Sequence, residues 1–274
     1  MSKERLDFAM VTRGLATGRE QAKRMVMSGI VYINEQKASK ASQTVAESEE
    51  ISVRGSEQPF VSRGGLKLQR AMEVFPIDVA GKVCLDVGAS TGGFTDCLLS
   101  HGAKKVYAID VGYGQLDWKL RQDERVVVME RTNARHMEPS WFSETADFAC
   151  MDVSFISIKL ILPALFECLG EGAKVAALIK PQFEAGRDKV GKKGVVRDEA
   201  VHKQVILSIM SFARSVGYSI LGLDHSPIKG PEGNVEFLIY LSKESGDGLN
   251  EAEDEETAQS VLDGTREFFG KQSH

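Results

Sequence analysis

The sequence predicts an α/β fold: a seven-stranded Rossmann-like sheet preceded by a small N-terminal α+β module. Three observations carry this expectation. From Gly65 onward, strand-length apolar runs alternate with helical patterns, as in a parallel sheet covered on both faces. The first of those strands runs into a glycine-rich turn and then a helix. The residues ahead of it read differently, as two helical patterns followed by a short strand.

In chain order, Leu6, Phe8, Ala9, Val11 and Leu15 space a first helix. Thr17, with Glu20 three residues on, has the form of a capping box for a second helix. Its apolar positions are Ala22, Met25 and Val26, and Gly29 ends it. A strand at 30–34 turns at Asn34-Glu35, and after a polar stretch another covers 51–53. Residues 3–54 thus form one module, and residues 55–64, rich in Gly, Pro and Ser, read as a linker. A lead-in helix, 66–74, precedes strand 83–87, helix 94–100, strand 105–109, helix 115–121 and strand 126–130. Strand 148–152, helix 158–168, strand 174–179 and a long helix, 198–215, come next. Strands 218–224 and 235–241 have no helix between them and are expected as an antiparallel hairpin at the sheet edge. Seven such strands, within 65–243, match the usual architecture of S-adenosylmethionine-dependent methyltransferases. Residues 244–274 are polar and acidic, with a weak amphipathic stretch near 261–269, and are expected to be mostly disordered.

A net charge of −5 argues against a nucleic-acid partner until its distribution is followed along the chain. Nine acidic and two basic residues lie in 244–274, which leaves 32 basic and 30 acidic residues in 1–243. Within 1–40 there are eight Lys/Arg against four Asp/Glu. The acidity belongs to the tail, and the front is locally basic. Cys84, Cys97, Cys150 and Cys168 have neither paired nor metal-like spacing and sit in apolar runs, where a thiol behaves as a small hydrophobe. No metal site is expected. No stretch approaches the roughly 20 apolar residues of a membrane helix, and none has signal-peptide form. The expectation is a reduced, cytoplasmic protein without stable membrane insertion.

The strand containing Asp86 is followed by Gly88-Ala89-Ser90-Thr91-Gly92-Gly93-Phe94, which opens a helix. This order aims backbone N–H groups at a ligand, and glycine allows close approach. The spacing, Gly-x-x-x-Gly-Gly, differs from the dinucleotide pattern. In methyltransferases such a loop wraps the amino-acid half of S-adenosylmethionine, and an acid ending the second strand holds the ribose hydroxyls. Asp110, 24 residues after Asp86, stands in that place; Asn133, just past the third strand, stands where the adenine is recognised. The candidate cofactor is therefore S-adenosylmethionine. Its candidate contacts are Asp86, Gly88, Ala89, Ser90, Gly92, Gly93, Phe94, Asp110, Asn133 and Asp152.

Three acceptor chemistries leave different marks. Methylation at a pyrimidine C5 needs a cysteine nucleophile, and none of the four cysteines follows a proline at a strand end. Amino-methylation of adenine goes with an Asn/Asp-Pro-Pro-aromatic tetrapeptide after the fourth strand, where this chain has Asp152-Val153-Ser154-Phe155. A ribose 2′-hydroxyl is a poor nucleophile and calls for a base; a lysine serves when neighbouring cations and desolvation favour its neutral form. Lys180 ends strand 174–179, Asp152 ends the strand before, Glu236 starts the last, and Lys67 lies in the lead-in helix. Strand ends of a doubly wound sheet converge on the cofactor crevice. The expected roles are Lys180 as base for the 2′-hydroxyl proton and Lys67 as a second cation keeping it neutral. Asp152 and Glu236 would orient the lysines and the ribose. Taken singly, each of the four is explained as well by surface charge.

Lys67 in Ser-Arg-Gly-Gly-Leu-Lys-Leu, Asp152, Lys180 in Leu-Ile-Lys-Pro-Gln-Phe-Glu, and Glu236 in Gly-Asn-Val-Glu-Phe-Leu resemble the Lys-Asp-Lys-Glu tetrad of FtsJ-like ribose methyltransferases. Arg5-Leu-Asp through Arg19-Glu-Gln-Ala-Lys-Arg, Gly29-x-Val31 and Asn34 resemble an S-four-type RNA-binding domain. Joined, the two resemble the TlyA family over residues 3–242, whose members are known as haemolysins and as ribosomal-RNA cytidine 2′-O-methyltransferases. The resemblance implies ribosomal RNA or ribosomal subunits as partners, and it leaves the acidic tail unexplained. Arg13, Arg19, Lys23 and Arg24 cluster around the first two helices as candidate RNA phosphate contacts, the alternative being a solvated helix face. Arg187, Lys189, Lys192, Lys193 and Arg197, in the Gly-rich loop after Lys180, have the same two readings. The competing functions are a membrane-active cytolysin and a non-catalytic RNA-binding assembly factor. The lack of a membrane-length or strongly cationic amphipathic helix counts against the first. Self-association is compatible with all of them.

Overall fold

A computed structural model describes residues 3–53, 59–191, 193–244, 246 and 248–271. The chain divides into two compact units, residues 1–59 and 60–274.

In the first unit, β1 (Lys3–Arg5), α1 (Leu6–Thr12) and α2 (Arg19–Met27) precede β2 (Val31–Ile33), β3 (Gln36–Lys37), β4 (Thr44–Ala46) and β5 (Ile51–Val53). β2 pairs antiparallel with β3 and β5, and β1 pairs with β4. All five strands have two or three residues; β1, β3 and β4, in polar surroundings, left no apolar run in the sequence. Leu6, Ala9 and Met10 of α1 share a core with Ala22, Met25 and Val26 of α2 and with Val31, Val45 and Ile51. The expected capping box does not form. Gly18 is the N-cap of α2, the Thr17 hydroxyl donates to Gln21 Oε1, and Glu20 pairs with Lys23.

The second unit begins inside the expected linker. Phe60 is buried in its core, and the Val61 N–H donates to Asp96 Oδ2 at 2.9 Å. Residues 55–58 lie outside the described residues. The elements are α3 (Gly65–Val74), β6 (Val83–Val87), α4 (Gly93–Ser100), β7 (Lys105–Ile109), α5 (Trp118–Arg121), β8 (Val126–Met129), β9 (Ala146–Met151), α6 (Leu162–Cys168), β10 (Leu169–Ile179), α7 (Pro181–Glu184), α8 (Glu199–Val216), β11 (Ser219–His225), β12 (Phe237–Ser242) and α9 (Asp254–Lys271). They build a seven-stranded sheet in the order β8-β7-β6-β9-β10-β12-β11. The first five are parallel. β12 runs antiparallel to both neighbours, inserted between β10 and the edge strand β11.

Period-two alternation divides the core between the two sheet faces. Val83, Leu85 and Val87 pack with residues of α6, α8 and α9, whereas Cys84 packs with residues of α3 and α4. All four cysteines are free and buried. The helix expected at 115–121 shrinks to α5, because Asp117 caps it by accepting from the Lys119 N–H. The pattern at 158–168 splits into a 3-10 turn at 158–160 and α6, with Pro163 near the start of the helix. The tail needs the largest correction. Its last part folds as the 18-residue α9. Ala258, Val261 and Leu262 join the core under Ile209 and Ala213, and Arg214 pairs with Asp254. A stripe of three small or medium apolar residues, with ion pairs to α8, docks an otherwise acidic helix. Among the described residues no helix is long and apolar enough to cross a membrane, and no group of three His, Cys, Asp or Glu side chains is placed to hold a metal.

Candidate active site

Strand β6 ends against β7 and β9, and the chain must turn there with little room. Gly88 takes φ +88°, and a Cβ on it would stand 2.7 Å from the Asp152 carbonyl oxygen. Gly92, at φ +95°, is the N-cap of α4, and its Cβ would strike Leu120. The glycines are therefore required by the protein's own packing, which brings the turn against the end of β9. The Gly88 and Ala89 N–H groups both donate to the Ile109 carbonyl, and the Ser90 N–H donates to Asp110 Oδ2 at 2.8 Å. Asp110, expected to hold the ribose hydroxyls, also accepts from the Gly112 N–H at 2.6 Å and so ties its own loop to the glycine turn. Asn133 accepts from the Arg135 N–H as a cap.

Asp86 is wholly buried beneath this turn. Its Oδ2 accepts from Thr95 Oγ1 at 2.6 Å, and its Oδ1 has no hydrogen-bond partner. Burial pushes its carboxyl up to about 7, against the Thr95 bond, with Asp152 adding repulsion.

The four candidate catalytic residues meet beside the turn. Lys67, from α3, lies 3.1 Å from Asp152 Oδ2 and 2.6 Å from Glu236 Oε2. Lys180, at the end of β10, lies 2.5 Å from Asp152 Oδ1, and its Nζ donates to Ser154 Oγ at 3.0 Å. Asp152 thus bridges the two lysine side chains. Glu236 is 1% exposed and depends on Lys67 for its countercharge. Burial lowers Lys67, but its two carboxylates outweigh this and hold it above the usual lysine range, so it stays a cation. The Lys67 cation offsets both carboxylates in a partly dry site.

One cavity of about 220 Å³ is lined by all four of these residues together with Gly88, Ala89, Ser90, Gly93 and Phe94. Asp86, Gly92, Asp110 and Asn133 do not line it. Asp86 and Gly92 support the turn from behind, while Asp110 and Asn133 stand at the ends of β7 and β8. The sequence reading missed Ser154, Arg63, Gly230 and Pro231, which also line the cavity. Ser154 had a signal, two residues past Asp152; Gly230 and Pro231 had none, because only the fold brings them to the site. Phe155, next to Ser154, is 91% exposed and holds φ +64°, with its ring 5.2 Å from that of Phe183.

These residues fit an S-adenosylmethionine site: a glycine turn at a helix start with Ser90 and Thr91 exposed at its tip, an unpartnered carboxylate oxygen beneath it, and an acid at the end of the next strand. Comparison with known proteins agrees. Residues 60–243 match the model of the FtsJ-like methyltransferases, and residues 4–51 match that of the S4 domain. YqxC of Bacillus subtilis, described as a proposed rRNA methyltransferase, is 55% identical over 87% of this chain and 85% of its own. The Mycobacterium tuberculosis 16S/23S rRNA (cytidine-2′-O)-methyltransferase TlyA is 44% identical over 90% of this chain and 93% of its own. The chain belongs to the TlyA family. A solved structure from Streptococcus thermophilus, described as a proposed hemolysin, is 45% identical with a TM-score of 0.77 over 100% of both chains. Membership makes the second unit an FtsJ-like methyltransferase domain and the first an S4 domain.

Within the S4 domain of this TlyA-family chain the four basic candidates separate. Arg13 donates to the carbonyls of Glu49 and Ala46, at 2.7 and 3.1 Å, and serves the fold. Arg19 shares buried Asp7 with Arg5, Lys23 pairs with Glu20, and Arg24 is exposed. In the loop after Lys180, Lys189 bonds Gln204, and Lys192 lies outside the described residues.

Proposed function

We propose that this protein transfers a methyl group to a ribose 2′-hydroxyl of ribosomal RNA, a cytidine by its likeness to the M. tuberculosis relative, with Lys180 as the base. One observation carries the reading: the Lys67-Asp152-Lys180-Glu236 set and the glycine turn line the same cavity. S-adenosylmethionine, when bound, supplies an electrophilic methyl group; Gly88 to Phe94 with Asp110 and Asn133 would hold it. The remaining chemistry belongs to the chain. Lys67 is held charged by two carboxylates and keeps Asp152 and Glu236 in place. Lys180 shares only Asp152, already engaged by Lys67, and has an exposed serine hydroxyl as its other partner. It is therefore the lysine placed to receive the 2′-hydroxyl proton on Nζ, while Asp152 steadies the resulting ammonium. Arg19, Lys23 and Arg24 of the S4 domain supply phosphate contacts that position RNA without reading its sequence. Ribosomal subunits in the cytoplasm are the expected partner.

Purified protein, methyl-labelled S-adenosylmethionine and unmethylated ribosomal subunits test this. Lys180→Ala leaves Asp152 paired with Lys67, so the fold is expected to survive and the rate to fall ~10²-fold or more. Absence of label from the RNA with the parent protein, or equal labelling with the variant, refutes the reading. Leakage from liposomes at the same protein concentration would favour a cytolysin instead.

A further inference from the structure

The segment Lys180-Pro-Gln-Phe-Glu184 contributes one residue to the mechanism, yet its far end is tied as firmly as its near end. Pro181 opens the single turn α7; the Phe183 N–H donates to the Lys180 carbonyl and the Ala185 N–H to the Pro181 carbonyl, each at 2.9 Å. Lys180 and Glu184 therefore stand on one short rigid piece. Opposite them runs the stretch 152–158 from the end of β9. Asp152 and Ser154 touch Lys180, and then the chain passes through Phe155 in the left-handed region, which a side chain with a Cβ adopts only when its surroundings enforce it. Just beyond that strained residue, Ser157 Oγ donates to Glu184 Oε2 at 2.6 Å and the Ile158 N–H donates to Glu184 Oε1 at 2.9 Å. Both carboxylate oxygens are used, and both bonds go to the same stretch. The two segments are thus closed into a ring, pinned at Lys180 on one side of the strained turn and at Glu184 on the other.

We infer that Glu184 is a positioning residue for the methyl transfer, clamping the 152–158 stretch so that Asp152 and Ser154 hold Lys180 at its working place. The inference rests on the reading of Lys180 as the base. Loss of the clamp lets the strained turn relax and shifts Lys180 relative to the ribose, the kind of misplacement that costs about 10²-fold in rate. Glu184 does not line the cofactor cavity, so cofactor binding is spared.

The test uses the full chain with Glu184→Ala, Glu184→Gln and Ser157→Ala, measured for kcat and KM on ribosomal subunits and for S-adenosylmethionine affinity by calorimetry. Glu184→Ala is expected to lower kcat ~10–100-fold with cofactor affinity within about twofold of the parent. Glu184→Gln keeps an oxygen for the Ile158 N–H and is expected to recover most of kcat; Ser157→Ala, which removes one bond and buries no new charge, lies between. A second readout needs no RNA: the rate at which Lys180 is acetylated by an amine-reactive ester, followed by mass spectrometry, is expected to rise several-fold in Glu184→Ala. Unchanged kcat in Ser157→Ala, no recovery in Glu184→Gln, or unchanged Lys180 acetylation overturns the inference. A parent protein that labels no RNA, with the acetylation difference intact, refutes the functional reading instead.

Discussion

The alternation that buries Cys84 on the α3/α4 face of β6 also turns Asp86 inward, where one of its oxygens accepts from Thr95 and the other has no hydrogen-bond partner. An asparagine there would avoid burying an unpaired charge, so the acid is a local cost that a binding site explains better than packing does. The pH dependence has a definite sign. The unfolded carboxyl titrates near 3.9, whereas burial pushes the folded one up to about 7. Between those values the folded chain keeps a proton that the unfolded chain has lost. Stability therefore falls as pH rises through this window, by on the order of 4 kcal/mol, and levels off above it. Asp86→Asn removes the titration. In thermal melts of the ligand-free protein the variant is expected to match the parent near pH 4.5 and to melt several degrees higher at pH 8.5, while binding S-adenosylmethionine more weakly. Parallel melting curves across that range would count against the buried, unpaired acid.

At the scale of elements, α9 shows what a sequence pattern conceals. Residues 244–274 hold nine acidic residues, and that composition masks the stripe Ala258, Val261, Leu262 and Thr265, all buried. The ion pair of Asp254 with Arg214 of α8, and that of Arg266 with Glu199, cannot be anticipated without knowing which helix lies beneath. Removing residues 254–274 uncovers Val261 and Leu262 at ~1.5–3 kcal/mol each and leaves Arg214 without its partner. The expected outcome is a methyltransferase unit whose melting temperature drops by roughly 10 °C or more, a few degrees per kcal/mol; an unchanged melt would mean that α9 does not hold the core. By contrast, strands β6, β7, β9 and β10 were legible because each is a buried apolar run closed by Gly or a polar residue. Lys67, Asp152, Lys180 and Glu236 were legible as a set because three of them mark strand ends that the sheet brings together. Ser154 and Glu184 act through contacts among loops, and loops leave no periodicity from which their partners could be read.

For the whole molecule, the net charge of −5 is a sum of opposites: an acidic last segment and a locally basic front. The structure divides that front further, since not every arginine in it is available to a polyanion. Arg13 donates to two backbone carbonyls, whereas Arg24 is exposed and Arg19 and Lys23 remain about half exposed beside single carboxylates. Phosphate contacts release counterions, so each one steepens the dependence of RNA affinity on salt by ~0.7–0.9 in a double-logarithmic plot. Replacing Arg19, Lys23 and Arg24 together by Gln is expected to flatten that slope by one to two such increments, because Asp7 and Glu20 already neutralise part of the charge. The fall in affinity should be much the same for RNAs of unrelated sequence. Arg13→Ala should do something different: it removes charge-assisted bonds worth ~1.5–3 kcal/mol and lowers the stability of the S4 domain, with the slope of the folded fraction unchanged. Binding titrations of the full chain with ribosomal-RNA fragments between 50 and 200 mM salt, beside thermal melts, separate the two. A triple variant with the parent's slope would remove the S4 helix face from the RNA interface, and an Arg13→Ala variant that melts normally but binds with a shallower slope would return Arg13 to it.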